Sequence, residues 1–191
     1  KKLFGIADKI IKKAQKLAVE NNAYDYQLMI LEWKKRILLL RLNIEGINTY
    51  QQQGYAGELH LIAIFKNIVE YKKLNFQRIY IKASRLGNHD KKSITAFKIL
   101  LKDPLLKNEK KALSPEAKEM YYSILGNVYF SLEDWGKCYQ YLNKSIQYYE
   151  QNPSHQQDKI NNYIGNIGGL MAALQNLERN EDVLLIRNKA E

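Results

Sequence analysis

Three cations in this chain are spaced to act together. Arg78, Lys82 and Arg85 fall at i, i+4 and i+7 of one helical pattern, which sets them in a basic stripe along one helix face, beside Gln77 and Ser84. Two guanidiniums flanking an ammonium form a surface for carboxylates or phosphates, because Arg presents a planar fork of donors that fits either anion. Side chains for catalysis are not arranged in this way. Cys138 is the single cysteine, and the reading is a buried, inert thiol. His60, His89 and His155 are scattered, and Glu58-Leu59-His60 lacks the paired His of a zinc-binding helix. They are expected at the surface or in turns. Gly165, Gly168 and Gly169 follow no strand and lie inside a helical pattern, which points to close helix packing and not to a phosphate-binding loop. The expectation is a non-catalytic protein with no cofactor and no metal site.

Charge adds direction to that stripe. The chain carries 30 Lys+Arg against 20 Asp+Glu, a net +10, and the excess is uneven. Residues 1–113 hold 23 basic and 10 acidic side chains, a net +13, whereas residues 114–191 hold 7 and 10, a net −3. Such asymmetry steers an acidic partner. The bland account is that Lys, Asn, Ile and Tyr enrichment reflects an AT-rich genome, with lysines decorating solvated helix faces. No apolar run is long enough to span a bilayer. One cysteine excludes an internal disulfide, and a cytoplasmic location is the expectation.

The elements that position these residues read as helices throughout. Leu125, Val128 and Tyr129 share one face, and Tyr139, Leu142 and Ile146 share a face of the next segment, each at spacings of three or four. The pattern breaks at Glu133-Asp134, where Asp134 is placed to cap the second helix, giving an antiparallel hairpin in which Gly126 allows close approach, opposite Cys138. Ser114 and Pro115 open a helix with Glu116 in its first turn, and Ser154 with Gln157 makes a capping box. Pro104 and Pro153 fall where a helix should already have ended. Residues 3–22 and 26–42 read as another hairpin, with Asp25 as cap. Lys102 to Leu113 is the longest expected loop. Length favours one domain over residues 1–191.

The stretch Tyr122-Ser123-Ile124-Leu125-Gly126-Asn127-Val128-Tyr129, followed by Cys138, Leu142 and Ser145, resembles the tetratricopeptide (TPR) signature. Tyr122 stands for its Trp, Leu125-Gly126 and Tyr129 match, Cys138 is the small residue, and Leu142 replaces Phe. The resemblance implies an all-α fold, a right-handed TPR-like superhelix of antiparallel helix pairs. A weaker unit follows if Tyr80 is set against Gly126. That register puts Ile79 on Leu125, Phe76 on Tyr122, Ala83 on Tyr129, Gly87 on Glu133 and, with one extra residue, Phe97 on Leu142, so Phe76 and Tyr80 are expected in the core. The interval from Tyr80 to Gly126 is 46 residues, longer than the regular repeat, so the array is irregular. Glu181-Asp182-Val183 and Arg187 to Ala190 resemble the second half of a further unit whose first helix includes Leu170, Met171 and Leu174. The chain starts without Met and stops in a helical pattern without a Gly cap, which predicts a piece of a longer protein or an end repeat covered by a partner.

In a TPR hairpin the first helix lines the concave groove. The resemblance therefore implies groove positions at Gln77, Arg78, Ser84 and Arg85 in one unit and at Ser123, Asn127, Phe130 and Ser131 in the next, with Lys82 extending the basic stripe. Asn127 matches the groove asparagine that such proteins use to bind a peptide backbone, while the lysine expected one turn earlier in chaperone-tail adaptors is Ser123 here. The implied function is a protein-protein interaction scaffold taking an acidic partner segment. Two alternatives stay open: nucleic-acid binding by the basic N-terminal half, with Tyr71, Phe76 and Tyr80 close to Lys72, Lys73, Arg78 and Lys82, and a regulatory sensor module of a longer signalling protein.

Overall fold

The computed structural model describes residues 2–84, 91–151 and 160–188, and every regular element among them is a helix. Two compact units divide the chain, Lys1–Asn67 and Ile68–Glu191.

In the first unit, α1 (Lys2–Glu20) and α2 (Tyr24–Leu40) pack as the expected hairpin. The turn between them is made by Asn22, whose φ of 52° lies in the left-handed region that Asn tolerates better than most side chains. Asp25 is not the cap. Ala23 occupies that position without a side-chain bond, and Asp25 sits in the first turn, where it meets the positive end of the helix dipole. Arg41 Nη1 ties the hairpin together through Asp8 Oδ2 at 2.8 Å. A short helix, α3 (Ile44–Thr49), is capped by Asn43, which accepts from the Gly46 amide at 3.0 Å. It passes through one wide turn, Tyr50–Gly54, into the long helix α4 (Tyr55–Ala83), which continues across the boundary between the units. The wide turn needs glycine at its end, since a Cβ on Gly54 would lie 2.7 Å from the Tyr50 ring. The Tyr50 hydroxyl donates to Glu58 Oε2 at 2.9 Å, and Lys35 pairs with Glu58 at 3.0 Å, so α2, the wide turn and the start of α4 meet at one carboxylate.

The second unit contains α5 (Lys91–Leu100), α6 (Pro115–Ser131), α7 (Trp135–Gln151), α8 (Ile160–Asn176) and α9 (Asn180–Asn188). Ser114 Oγ accepts from the Ala117 amide at 3.1 Å and starts α6; Asp134 Oδ1 accepts from the Lys137 amide at 3.2 Å and starts α7. Both caps are the ones the sequence predicts. Helix α6 packs on α7, α7 on α8 and α8 on α9. Leu142, fully buried, is the hub. A Cβ on Gly126 would lie 2.5 Å from Leu142 Cδ2 and 3.1 Å from the Leu142 amide nitrogen, and one on Gly169 would lie 2.8 Å from Leu142 Cδ1. Gly126 thus opposes Leu142, one turn beyond Cys138. Of the three α8 glycines only Gly169 is a packing glycine, because Gly165 and Gly168 face open space. The segment from Lys102 to Leu113 contains two short helical turns, Pro104–Leu106 and Glu109–Lys111, capped by Asp103 and Asn108.

The expected register of α4 is overturned. Phe76 is 75% and Tyr80 74% exposed, and Ile79 is also exposed, while Ile68, Tyr71 and Leu74 are buried. The inner face is chosen by Tyr71, whose hydroxyl donates to the Leu105 carbonyl at 3.0 Å and so can be buried without losing a hydrogen bond. Phe97 of α5 is fully buried. Arg85, Gly87, His89, Pro153, Ser154, His155, Gln157 and Ala190 lie outside the described residues. No described helix is long and apolar enough to cross a membrane.

Candidate functional site

A cavity of about 560 Å³ opens in the second unit where α4, α6 and α8 face one another. Its walls mix polar and apolar side chains. Helix α4 contributes Lys72, Asn75, Phe76, Arg78 and Lys82, α6 contributes Glu116, Glu119, Met120, Ser123, Ile124 and Asn127, and α8 contributes Asn161, Asn162, Gly165 and Asn166. Five asparagines stand along these walls, and the amide groups not committed within the protein can donate to or accept from a peptide backbone.

Asn166 organises them. Buried in α8, it accepts at Oδ1 from Ser123 Oγ and from Asn127 Nδ2, both at 3.2 Å, and its own Nδ2 donates to Ser145 Oγ at 3.0 Å. One amide therefore joins α6, α7 and α8. Asn127 Nδ2 also donates to the Ser123 carbonyl at 2.8 Å, so both of its N–H groups are used within the protein. What it has left to offer a ligand is its carbonyl oxygen, an acceptor for a backbone N–H. The buried Ser145 hydroxyl carries this network into α7.

Charge in the cavity is divided. Lys72 pairs with Glu116 at 3.3 Å. Glu119 is buried beside Tyr149, whose hydroxyl is enclosed without a well-formed hydrogen bond although Glu119 and Asn162 lie next to it. Burial, then the adjacent Glu119 charge, pushes that phenol upward. Arg78 differs from both. It is half-buried, its Nε donates to Asn75 Oδ1 at 2.9 Å, and no described carboxylate pairs with it. Burial pulls its pKa down from the ordinary value, yet a guanidinium keeps its proton at any physiological pH. The result is a desolvated cation with donors to spare.

Of the residues the sequence points to, Arg78, Lys82, Ser123 and Asn127 are brought to this one cavity. Gln77 turns instead into a neighbouring apolar groove with Phe76 and Tyr80. Phe130 packs edge-on against Trp135 at 5.4 Å and belongs to the core periphery. The signature residues Leu125, Gly126, Cys138, Leu142 and Ser145 are buried, Tyr129 stacks on Tyr141 at 5.6 Å, and Tyr122 donates to Glu109 Oε2 at 2.8 Å. Burial pushes the Cys138 thiol up to about 12, which keeps it protonated and unreactive.

Comparison with protein-family models, curated proteins and solved structures returns no match. The functional reading therefore rests on the cavity itself. Sequence reasoning missed Asn75, Asn161, Asn162 and Asn166, although Asn162 and Asn166 stand at i and i+4 and so share a face of α8.

Proposed function

We propose that residues 68–191 act as a non-catalytic, TPR-like interaction module whose cavity holds an extended partner segment carrying a carboxylate. The observation that carries this reading is Arg78. A half-buried guanidinium without a described counter-ion has lost hydration without regaining it from the protein, and an incoming carboxylate restores it through charge-assisted hydrogen bonds. Lys82, exposed at the rim, speeds the approach of an acidic chain. The asparagines hold the backbone, with the Asn127 carbonyl accepting from a peptide N–H. On this reading the helix pairs of residues 68–191 are units of an irregular TPR-like array, and the basic stripe belongs to recognition.

The test is selection from a library of unstructured peptides on the recombinant chain, followed by titration of the winners. Selected peptides are expected to carry Asp or Glu at a fixed position, and Arg78→Gln, which keeps the link to Asn75 within reach, is expected to weaken them by roughly tenfold or more. Winners without a recurring carboxylate, or ones indifferent to Arg78→Gln, would remove Arg78 from recognition.

A further inference from the structure

On the outer side of α4 lies a second concavity of about 600 Å³, unlike the first in chemistry. Phe76, Tyr80 and Ile81 of α4 face Ala96, Ile99 and Leu100 of α5 across it, with Gln77 and Asp103 the polar members of the wall among the described residues. Three of these side chains are wide open to solvent: Phe76 at 75%, Tyr80 at 74% and Ile99 at 61%. Scattered exposed apolar residues are ordinary, but an aromatic pair one turn apart on one helix, facing an isoleucine on the next, is a contiguous patch. Two apolar rows meet in a trough about one and a half turns long, a shape that receives part of the apolar face of another helix at i, i+3, i+4 and i+7.

The rim specifies the charge of what fits. Residues 68–113 carry 12 Lys+Arg against 4 Asp+Glu. Lys73 precedes the α4 row by one turn, Lys92 precedes Ala96 by one turn on α5, and Lys102 follows the end of α5, all three exposed. The one acidic wall residue, Asp103, is occupied as a cap, accepting from the Leu105 amide at 2.8 Å. We propose that this trough takes the apolar face of an acidic amphipathic helix from a partner protein. Stacked nucleobases would use the two rings and the lysines, but they leave the open aliphatic wall of Ile81, Ala96 and Ile99 unused. A second copy of this chain would bring a like-charged rim against the first. An acidic helix uses both the aliphatic wall and the basic edge, and although Phe76 borders both concavities, Arg78 lines only the first.

The probe is a synthetic helical peptide of about four turns, with Leu at the i, i+3, i+4 and i+7 positions and Glu on the remaining faces. Its binding is followed by fluorescence anisotropy, beside a Lys-for-Glu counterpart and a single-stranded oligothymidylate. The acidic peptide is expected to bind, and Tyr80→Glu and Ile99→Glu are each expected to weaken it by about tenfold or more. Both residues are exposed, so the variants keep their fold, which circular dichroism verifies. Arg78→Gln is expected to leave this binding unchanged. Equal binding of the lysine peptide, indifference to both Glu variants, or no binding at millimolar peptide would overturn the proposal. Binding of oligothymidylate alone, lost in the same variants, would overturn it in favour of nucleic acid.

Discussion

Leu142, Ile146, Tyr149 and Leu170 in the second unit are wholly enclosed, whereas Leu3, Ile6, Ile10 and Leu17 on α1 and Tyr26, Met29, Trp33 and Leu40 on α2 are half or more exposed. Both sets recur at spacings of three and four. Among the described residues of the first unit only Ala18, Ile30 and Ile64 are buried apolar side chains. Spacing by three and four says that a segment prefers to be a helix with an apolar side; it does not say that a second layer exists to cover that side. In the second unit α6, α7 and α8 supply such a layer to one another. Helices α1 and α2 use one face against each other and show a second apolar row to solvent, interrupted by Lys13 and Arg36 at the matching positions.

The sharpest way to break that contrast is a pair of truncations. Leu142→Ala removes the hub of the closed region and is expected to cost about 2–5 kcal/mol in urea denaturation. Ile10→Ala removes a residue that is 62% exposed and is expected to change stability by no more than about 0.5 kcal/mol. Comparable losses from the two would mean that the α1 row is covered in solution, and sedimentation of the wild-type chain would then show self-association.

Glycines give the next largest effects, with opposite signs. Gly126→Leu forces a side chain into space held by Leu142 and its backbone, and overpacking is expected to cost on the order of 1–3 kcal/mol. Gly168→Ala meets nothing within 4 Å in the middle of α8. It is expected to stabilise by about 0.5–1 kcal/mol through helix propensity alone. Thermal melts of the two variants settle it, and a destabilising Gly168→Ala would place an unseen neighbour over that face.

What could be read from sequence follows the range of the interactions. The α6–α7 hairpin was legible because its determinants are local: Ser114 and Asp134 cap within three residues, and Leu125, Gly126 and Leu142 act across a short turn. The α4 register was not, because Tyr71 is drawn inward by a carbonyl 34 residues away, and nothing near Phe76 or Tyr80 records that. Asp25 failed as a cap because the first helical residue precedes it, a difference of two positions that side-chain preference alone does not resolve. At the candidate site Arg78 and Lys82 were legible through their i, i+4 spacing on one helix, and Ser123 and Asn127 through the same spacing on another. Asn166 was not, since its role depends on three helices meeting at once.

The smallest expected effect belongs to Cys138, and it probes the closed region alone. With no exposed surface, the thiol is expected to resist labelling by thiol reagents in the native state and to react only as fast as residues 68–191 open, whatever α1 and α2 do. At neutral pH Cys138→Ala is expected to be nearly silent in binding. Alkali reveals the residue, because burial raises the folded thiol from the ordinary 9.0 to about 12. Between those values the unfolded chain loses its proton while the folded chain keeps it, so stability is fully present below about pH 9 and declines as pH rises toward 12. Cys138→Ala is expected to flatten part of that decline without removing it, since the buried phenols of Tyr71 and Tyr149 are shifted upward in the same way. Denaturant midpoints of wild type and variant measured from pH 8 to about pH 11 test this. An unchanged slope, or rapid labelling at neutral pH, would show that the thiol is not held in a closed core, and the contrast between the two units would lose its clearest reporter.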